Sequence, residues 1–66
     1  MVKIGKVIEY DGRFGIIRTI ESKYNFRKKD ISSKEIEIGD MVEFREEKKD
    51  PDILLAKNIK KTSEIY

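Results

Sequence analysis

Neither cysteine nor histidine occurs among the 66 residues of this chain, and this absence most limits the folds open to it. Disulfides and zinc sites built on these residues, the staples on which many very small domains depend, are therefore excluded. A chain of this length buries only about 60% of the surface that it exposes when unfolded, so its core must be thin. Stability has to come from compact, closed packing, and a single small β-barrel meets that need.

Short runs rich in β-branched and aromatic residues alternate with turn signals along the chain, which predicts strands without a long helix. Asp11-Gly12 and Gly39-Asp40 supply two of the turns, since glycine readily adopts the positive φ that tight turns need. Residues 30–38 are expected to form a loop with at most one helical turn. The predicted strands are residues 2–10, 14–20, 24–29, 41–47 and 53–61.

Five strands within about 60 residues predict the fold class, an all-β, five-stranded Greek-key barrel of the OB type. Closure into a barrel removes the exposed edges that an open sheet would have. Residues 1–61 are expected to form this single domain, with residues 62–66 as a C-terminal tail. The chain shows neither a signal-peptide pattern nor a run near the ~20 apolar residues of a membrane span, so a cytoplasmic protein is expected.

Charged residues make up 42% of the chain, but 15 Lys and Arg against 13 Asp and Glu leave a net charge of only +2. This balance indicates a mild preference for anionic partners. The sequence offers no nucleophile beside a plausible base and no phosphate-binding glycine loop, so we expect no enzyme, no metal site and no cofactor. The densest basic run, residues 27–29 with Lys23 nearby, is either a solvated strand or a phosphate-binding patch.

Four blocks of sequence, in the right order and with similar gaps, resemble a cold-shock domain. "GKVIEYDGRFGII" (5–17) resembles the family's Gly-Lys-Val strand and its Lys-Gly-Phe-Gly-Phe-Ile strand, and "YNFRKKDIS" (24–32) lies where the family has Val-Phe-Val-His-Phe. "IGDMVEF" (38–44) resembles a Glu-Gly-Gln-x-Val-x-Phe segment, and "AKNIKK" (56–61) resembles an Ala-x-Asn-Val ending. The resemblance implies an OB fold whose second and third strands bind single-stranded RNA or DNA through aromatic and basic side chains.

The aromatic platform that this resemblance implies is reduced on the first two strands. Phe14 keeps one aromatic of the second strand, whereas Ile16 replaces the other. Glu9 occupies the position where the family usually has Trp, and Tyr10 keeps the aromatic after it. Alternation predicts Phe14 and Ile16 on one face and Ile17 on the other. A core position for Phe14 and an ordinary barrel-edge position for Tyr10 are the alternatives.

The third strand departs from the family pattern as well. Asn25, Arg27 and Lys28 replace a Phe, the His and another Phe, although Arg27 can both pair with phosphate and stack on a base. Glu9 would repel phosphate unless it pairs with Arg27 or Lys28 across the sheet. The core positions that the resemblance implies all remain apolar: Val7, Ile17, Phe26, Val42, Phe44, Ala56 and Ile59.

These residues lead to the hypothesis of a module, monomeric or weakly dimeric, that binds single-stranded RNA or DNA weakly and with little sequence preference. The alternative is a protein-interaction or dimerisation module on the same barrel, in which Phe14, Ile16 and Met41 would dock a partner if those three lie together. The predicted nucleic-acid-binding residues are Lys6, Tyr10, Arg13, Phe14, Ile16, Asn25, Arg27 and Lys28.

Overall fold

Five strands form a closed barrel in the computed structural model, which describes residues 2–33, 35–50 and 52–62. Around the barrel the strands follow the order β1-β2-β3-β5-β4, with all neighbours antiparallel except β3 and β5, which are parallel. The predicted all-β, five-stranded Greek-key barrel is therefore confirmed. The strands are β1 (Val2–Tyr10), β2 (Phe14–Arg18), β3 (Lys23–Arg27), β4 (Met41–Asp50) and β5 (Ile53–Lys61).

The second strand is shorter than the sequence pattern predicts, because a turn begins at Thr19. The Thr19 N–H donates to the Ser22 carbonyl at 2.8 Å, and the Thr19 Oγ1 accepts the Ser22 N–H at 3.1 Å. A threonine hydroxyl that bonds nearby backbone competes with the sheet ladder. Arg18 is therefore the last residue of β2, and Ile20 is exposed in the turn rather than paired in a strand.

The third strand also ends early, at Arg27, where a 3-10 turn (Lys28–Asp30) begins. The Asp30 carboxylate accepts the Arg27 backbone N–H at 3.0 Å, and the Ile31 N–H donates to the Lys28 carbonyl at 3.1 Å. Lys28, predicted to lie on the third strand, therefore lies in this turn. The expectation of at most one helical turn after β3 is met, although it starts two residues before the predicted loop.

The fourth strand is longer than predicted, since its ladder with β5 continues to Asp50. Lys48 pairs with Leu54 and Asp50 with Ile53 across the hairpin. Residues 46–50 are all exposed. Their polar side chains therefore belong to a solvent-exposed strand, although the sequence pattern predicts a polar loop after residue 47. Only Thr62 of the predicted tail lies within the described residues, and its hydroxyl donates to the Met41 carbonyl at 3.4 Å.

The core consists of residues that the strands direct inward. Seven predicted core residues are buried, and Tyr24 and Ile36 join them. Tyr24 packs against Phe44, with ring centroids 4.9 Å apart, and its hydroxyl donates to the Glu46 Oε2 at 2.7 Å. Burial and this hydrogen bond raise the pKa of Tyr24 to about 12. Ile36 comes from the loop before β4, where strand alternation gives no signal of burial.

The barrel closes where β3 and the 3-10 turn after it meet β5. Asn25 pairs with Leu55 on β5, and the Lys57 Nζ lies 3.1 Å from the Asp30 Oδ1. The Ser32 N–H adds a hydrogen bond to the Ile59 carbonyl at 2.7 Å. The described residues contain no helix with the length and apolarity that a membrane crossing demands.

Candidate nucleic-acid interface

The outward side of β1, β2 and β3, which we call the outer face, places side chains in rows set by the strand register. Paired residues of neighbouring strands point to the same side of the sheet and are within contact range. Three rows follow: Lys6, Arg18 and Lys23; then Glu9, Ile16 and Asn25; then Phe14 and Arg27.

A β-bulge in β1 decides which of its residues belong to the outer face. The register shifts between Val7 and Glu9, so Ile8 is an extra residue opposite β2. Without a bulge, Glu9 would share the inward side of Val7, because strand side chains alternate. With it, Glu9 is exposed and pairs with Ile16, while Tyr10 turns toward the core.

Phe14 lies on the outer face, as alternation predicts, and the residue is 59% exposed. The turn before it is held by the Asp11 Oδ1, which accepts the N–H groups of Arg13 at 2.9 Å and Phe14 at 2.8 Å. These two backbone hydrogen bonds hold the pKa of Asp11 below its usual value. Gly12 adopts a φ of 97°, as predicted for this turn. The turn therefore fixes where β2 begins and which way Phe14 faces.

Tyr10 differs from Phe14 because the bulge makes it half-buried. Its ring packs against the core residue Phe26, with centroids 5.5 Å apart and planes inclined by 30°. The next strand allows this contact because Gly15 has no side chain: a Cβ there would overlap the Phe26 ring and lie 2.6 Å from the Glu9 carbonyl oxygen. Tyr10 is thus packed against the core rather than freely exposed on the outer face.

Two grooves adjoin Phe14, and each is named here after a charged residue that lines it. The Glu9 groove has a volume of about 460 Å³, and the Arg27 groove has a volume of about 380 Å³. Phe14, Gly15 and Asn25 line both of them, so the grooves share the Phe14 ring as a common wall. The Glu9 groove is completed by Glu9, Tyr10, Asp11, Ile16 and Ile38. The Arg27 groove is completed by Phe26, Arg27, Asp30, Lys49, Ile53 and Leu55.

The structure brings together four of the eight predicted binding residues, since Phe14, Ile16, Asn25 and Arg27 occupy adjacent positions of β2 and β3. Tyr10 borders them in the Glu9 groove. Lys6 lies on the same face in the first row. Arg13 is exposed in the β1–β2 turn, and its carbonyl accepts the Lys28 N–H at 2.8 Å. Lys28 lines another cavity, with Tyr10 and Ile36 among its walls.

Several residues of this surface are missing from the predicted set. Arg18 completes the first row, and Ile38 is 62% exposed where it lines the Glu9 groove. Lys49 and Ile53 line the Arg27 groove from the β4–β5 hairpin. Arg18 could have been found from the alternation of β2, since it has the parity of Phe14 and Ile16. The others come from segments distant in sequence, and the tertiary fold that places them beside Phe14 leaves no local signal.

Glu9 has no ion-pair partner among the residues that the structure describes. Its cross-strand partner is Ile16, so the pairing with Arg27 or Lys28 that would have neutralised it is absent. The ion pairs found in the described ranges join Lys57 to Asp30 and Lys61 to Asp40. Asp11 lines the Glu9 groove as well, so two carboxylates lie in the same groove.

Met41 lies away from the other two residues of the alternative interaction patch. It pairs with Lys6 of β1, and Lys6 in turn pairs with Arg18 of β2. A strand and a charged row therefore separate Met41 from Phe14 and Ile16. The described residues contain no cluster of three or more carboxylates able to hold a metal ion.

Comparisons with known proteins agree with this architecture. No family sequence model matches the chain, and no curated protein sequence matches it. Among solved structures, the chain is similar to "drosophila Unr CSD456", with a TM-score of 0.78 and 28% identity over 92% of this chain. The chain spans 26% of the length of that protein chain. The barrel topology and this similarity together show that the chain has a cold-shock-like OB fold.

Proposed function

We propose that this chain binds single-stranded RNA or DNA weakly across the outer face of β1, β2 and β3. The observation that carries the proposal is the row of Lys6, Arg18 and Lys23, three exposed cations paired across neighbouring strands. Like charges directly opposite one another destabilise a sheet. An anionic strand laid across this row would relieve the repulsion, so the row favours a phosphate backbone as its partner.

Phe14 supplies the second element that such a ligand needs. Stacking of a base on an exposed aromatic ring contributes about 1–3 kcal/mol and tolerates many sequences, because every base has a flat face. The Arg27 guanidinium, opposite Phe14 in the register, can bind phosphate or stack on a neighbouring base. This surface would support an arrangement in which phosphates lie on the cations and bases lie over Phe14.

Weak binding is part of the proposal, for two reasons. Phe14 is the one strongly exposed aromatic ring among the described residues, since Tyr10 is half-buried against Phe26. Glu9 and Asp11 repel phosphate beside it, and the net charge of the chain is only +2. Few bases can stack and few counterions are released, so both contributions to affinity are small.

A fluorescence-anisotropy titration with a labelled, mixed-sequence oligonucleotide of about 12 nucleotides, within the usual range for an OB fold, tests the proposal. We expect saturable binding at low salt that weakens at moderate salt, and a loss of affinity in Phe14→Ala. Ile20→Ala is the matched control, since Ile20 is fully exposed in the β2–β3 turn and lines neither groove. Absence of saturable binding at low salt, or equal losses in the two variants, would contradict the proposal.

The second candidate function, a protein-interaction or dimerisation module, is favoured by the exposed apolar side chains around Phe14. Ile38 and Ile53 are 62% and 42% exposed on either side of it, each lining one of the two grooves. Size-exclusion chromatography with light scattering distinguishes the candidates. A tight dimer that does not respond to oligonucleotides would favour the interaction module, whose surface would be Phe14, Ile38 and Ile53 rather than the predicted patch with Met41.

A further inference from the structure

The charges of the two grooves beside Phe14 differ in sign. Glu9 and Asp11 line the Glu9 groove, and no lysine or arginine lines it among the described residues. Arg27 and Lys49 line the other groove, where the Asp30 carboxylate is already paired with Lys57. Phosphate is therefore attracted to the Arg27 groove and repelled from the Glu9 groove. A nucleic-acid strand crossing this face would place an uncharged base, not its backbone, in the Glu9 groove.

The walls of the Glu9 groove suit a flat, partly apolar ligand. Phe14 and Ile38 are 59% and 62% exposed along it, and Ile16 lies between Glu9 and Asn25 in the central row of the outer face. A base lying against Ile16 would have the Glu9 side chain on one side and the Asn25 side chain on the other. These two polar groups, Glu9 and Asn25, then determine which base edge is accepted.

Glu9 has a definite preference between base edges. An ionised carboxylate only accepts hydrogen bonds, so it favours the exocyclic amine of cytosine or adenine and disfavours the keto oxygen at the same edge of uracil or thymine. The Asn25 amide offers both a donor and an acceptor and adapts to either edge. Glu9 is exposed and makes no ion pair within the described ranges, so its oxygens are available for a ligand.

We propose that Glu9 is a specificity-determining residue of this surface. It makes the surface prefer cytosine and adenine, which carry an exocyclic amine, over uracil and thymine, which carry a keto oxygen at the same edge. The inference rests on the proposed function, because it requires that a single strand bind the outer face. Binding by stacking on Phe14 alone would be nearly independent of sequence. Glu9 would add a preference between bases to that binding.

Cytosine and uracil give the sharpest comparison, because they have the same size and differ only in an amine or a keto group at position 4 and in a lone pair or a proton at N3. Affinities for oligo-C and oligo-U of equal length, and for oligo-dC and oligo-dT, are measured at pH 7 and one low salt concentration. We expect about fivefold tighter binding of the amino-bearing member, the lower end of the range for a side chain that reads a base edge. The same preference in RNA and DNA is expected, since the contact is to the base.

Glu9→Gln isolates the contribution of the carboxylate. The glutamine amide both donates and accepts, so the C-to-U affinity ratio is expected to fall toward one. Removal of a negative charge raises the affinity for every oligonucleotide, so the ratio rather than the affinity is the measurement. Glu43→Gln is the matched control: Glu43 lies in a groove of β1, β4 and β5 that shares no lining residue with the Glu9 groove. This variant should keep the wild-type ratio.

The possible results separate the inference from the proposed function. A ratio above one that falls in Glu9→Gln and persists in Glu43→Gln supports the inference. Saturable binding with equal affinities for oligo-C and oligo-U, or a ratio unchanged in Glu9→Gln, overturns the inference and leaves the proposed function standing. Failure of every oligonucleotide to bind at low salt overturns both.

Discussion

Phe14 and Phe26 lie on adjacent strands of one barrel, yet they obey different constraints. Phe26 on β3 is 2% exposed and packs against Tyr10, while Phe14 on β2 is 59% exposed between two grooves. The inner surface of β2 and β3 must be apolar, because close packing excludes water there. Their outer surface has no such requirement, so its residues are free to serve a ligand. Inside, the chain retains every core position that the cold-shock pattern implies; outside, it retains little of the aromatic platform.

The largest expected effect is on the inner surface. Phe26→Ala should lower the free energy of unfolding by about 3–5 kcal/mol, the usual cost of removing a buried aromatic side chain. A domain this small has few kcal/mol in reserve, so the variant should be largely unfolded at room temperature. Urea denaturation followed by circular dichroism measures this. Phe14→Ala provides the contrast, with an expected change within about 0.5 kcal/mol, as for other surface positions. Similar losses in the two variants would contradict the division between the surfaces.

Rebuilding the platform should change binding without changing the core. Ile16→Phe places a second aromatic ring beside Phe14, where the resemblance implies one, and should strengthen oligonucleotide binding by about 1–3 kcal/mol. Ile16 is half-buried, so little should change in stability. Ile4→Phe is the matched control at an exposed position of β1 outside both grooves. An unchanged affinity in Ile16→Phe would show that the outer face does not stack bases.

The cation row predicts opposite effects of one substitution on binding and on stability. Arg18→Gln removes the central charge of the row, so the dependence of log affinity on log salt should become shallower by about 0.7, one phosphate contact. The free energy of unfolding should rise by a few tenths of a kcal/mol, as like-charge repulsion with Lys6 and Lys23 is relieved. Titrations at several salt concentrations and urea denaturation measure the two effects. Arg45→Gln, on β4 and outside both grooves, should leave the salt dependence unchanged.

The last expected effect concerns pH and the core residue Tyr24. The folded-state pKa of Tyr24 is about 12, above the value of about 10 expected for an unfolded chain, so its contribution to stability is fully present below pH 10. That contribution should disappear as pH rises from 10 to 12, since the unfolded chain gives up its proton first. Tyr24→Phe removes both the titration and the hydrogen bond to Glu46, which should cost about 0.5–1.5 kcal/mol at neutral pH. Denaturation at several pH values, with wild type and variant compared, tests this; parallel pH profiles would contradict it.

Much of the barrel was predictable from the sequence, because strand periodicity is a local property. The bounds of β1 and β5, the inward positions of Val42 and Phe44 and the Asp11-Gly12 turn all agree with the prediction. The ends of β2 and β3 were wrong by two residues, where Thr19 and Asp30 bond the nearby backbone. Such side-chain to backbone hydrogen bonds end a strand without interrupting its apparent pattern.

The candidate site was only partly predictable. Phe14, Ile16, Asn25 and Arg27 follow from alternation along β2 and β3 and are adjacent in the structure. Tyr10 was expected as a possible member of the platform, but the bulge turns it toward Phe26. A bulge adds one residue to one strand only, and the alternation of β1 does not show at which residue the register with β2 shifts.

The sequence by itself determined which faces of the strands are apolar, where the chain turns, and that the interior has no disulfide or histidine to strengthen it. Only the tertiary structure decided that Glu9 is exposed between the cations and Phe14, and that Ile38 and Lys49 border the two grooves. The physical reason is one of range. Alternation follows from the geometry of neighbouring residues, whereas the rows and grooves of the outer face depend on register between strands distant in sequence.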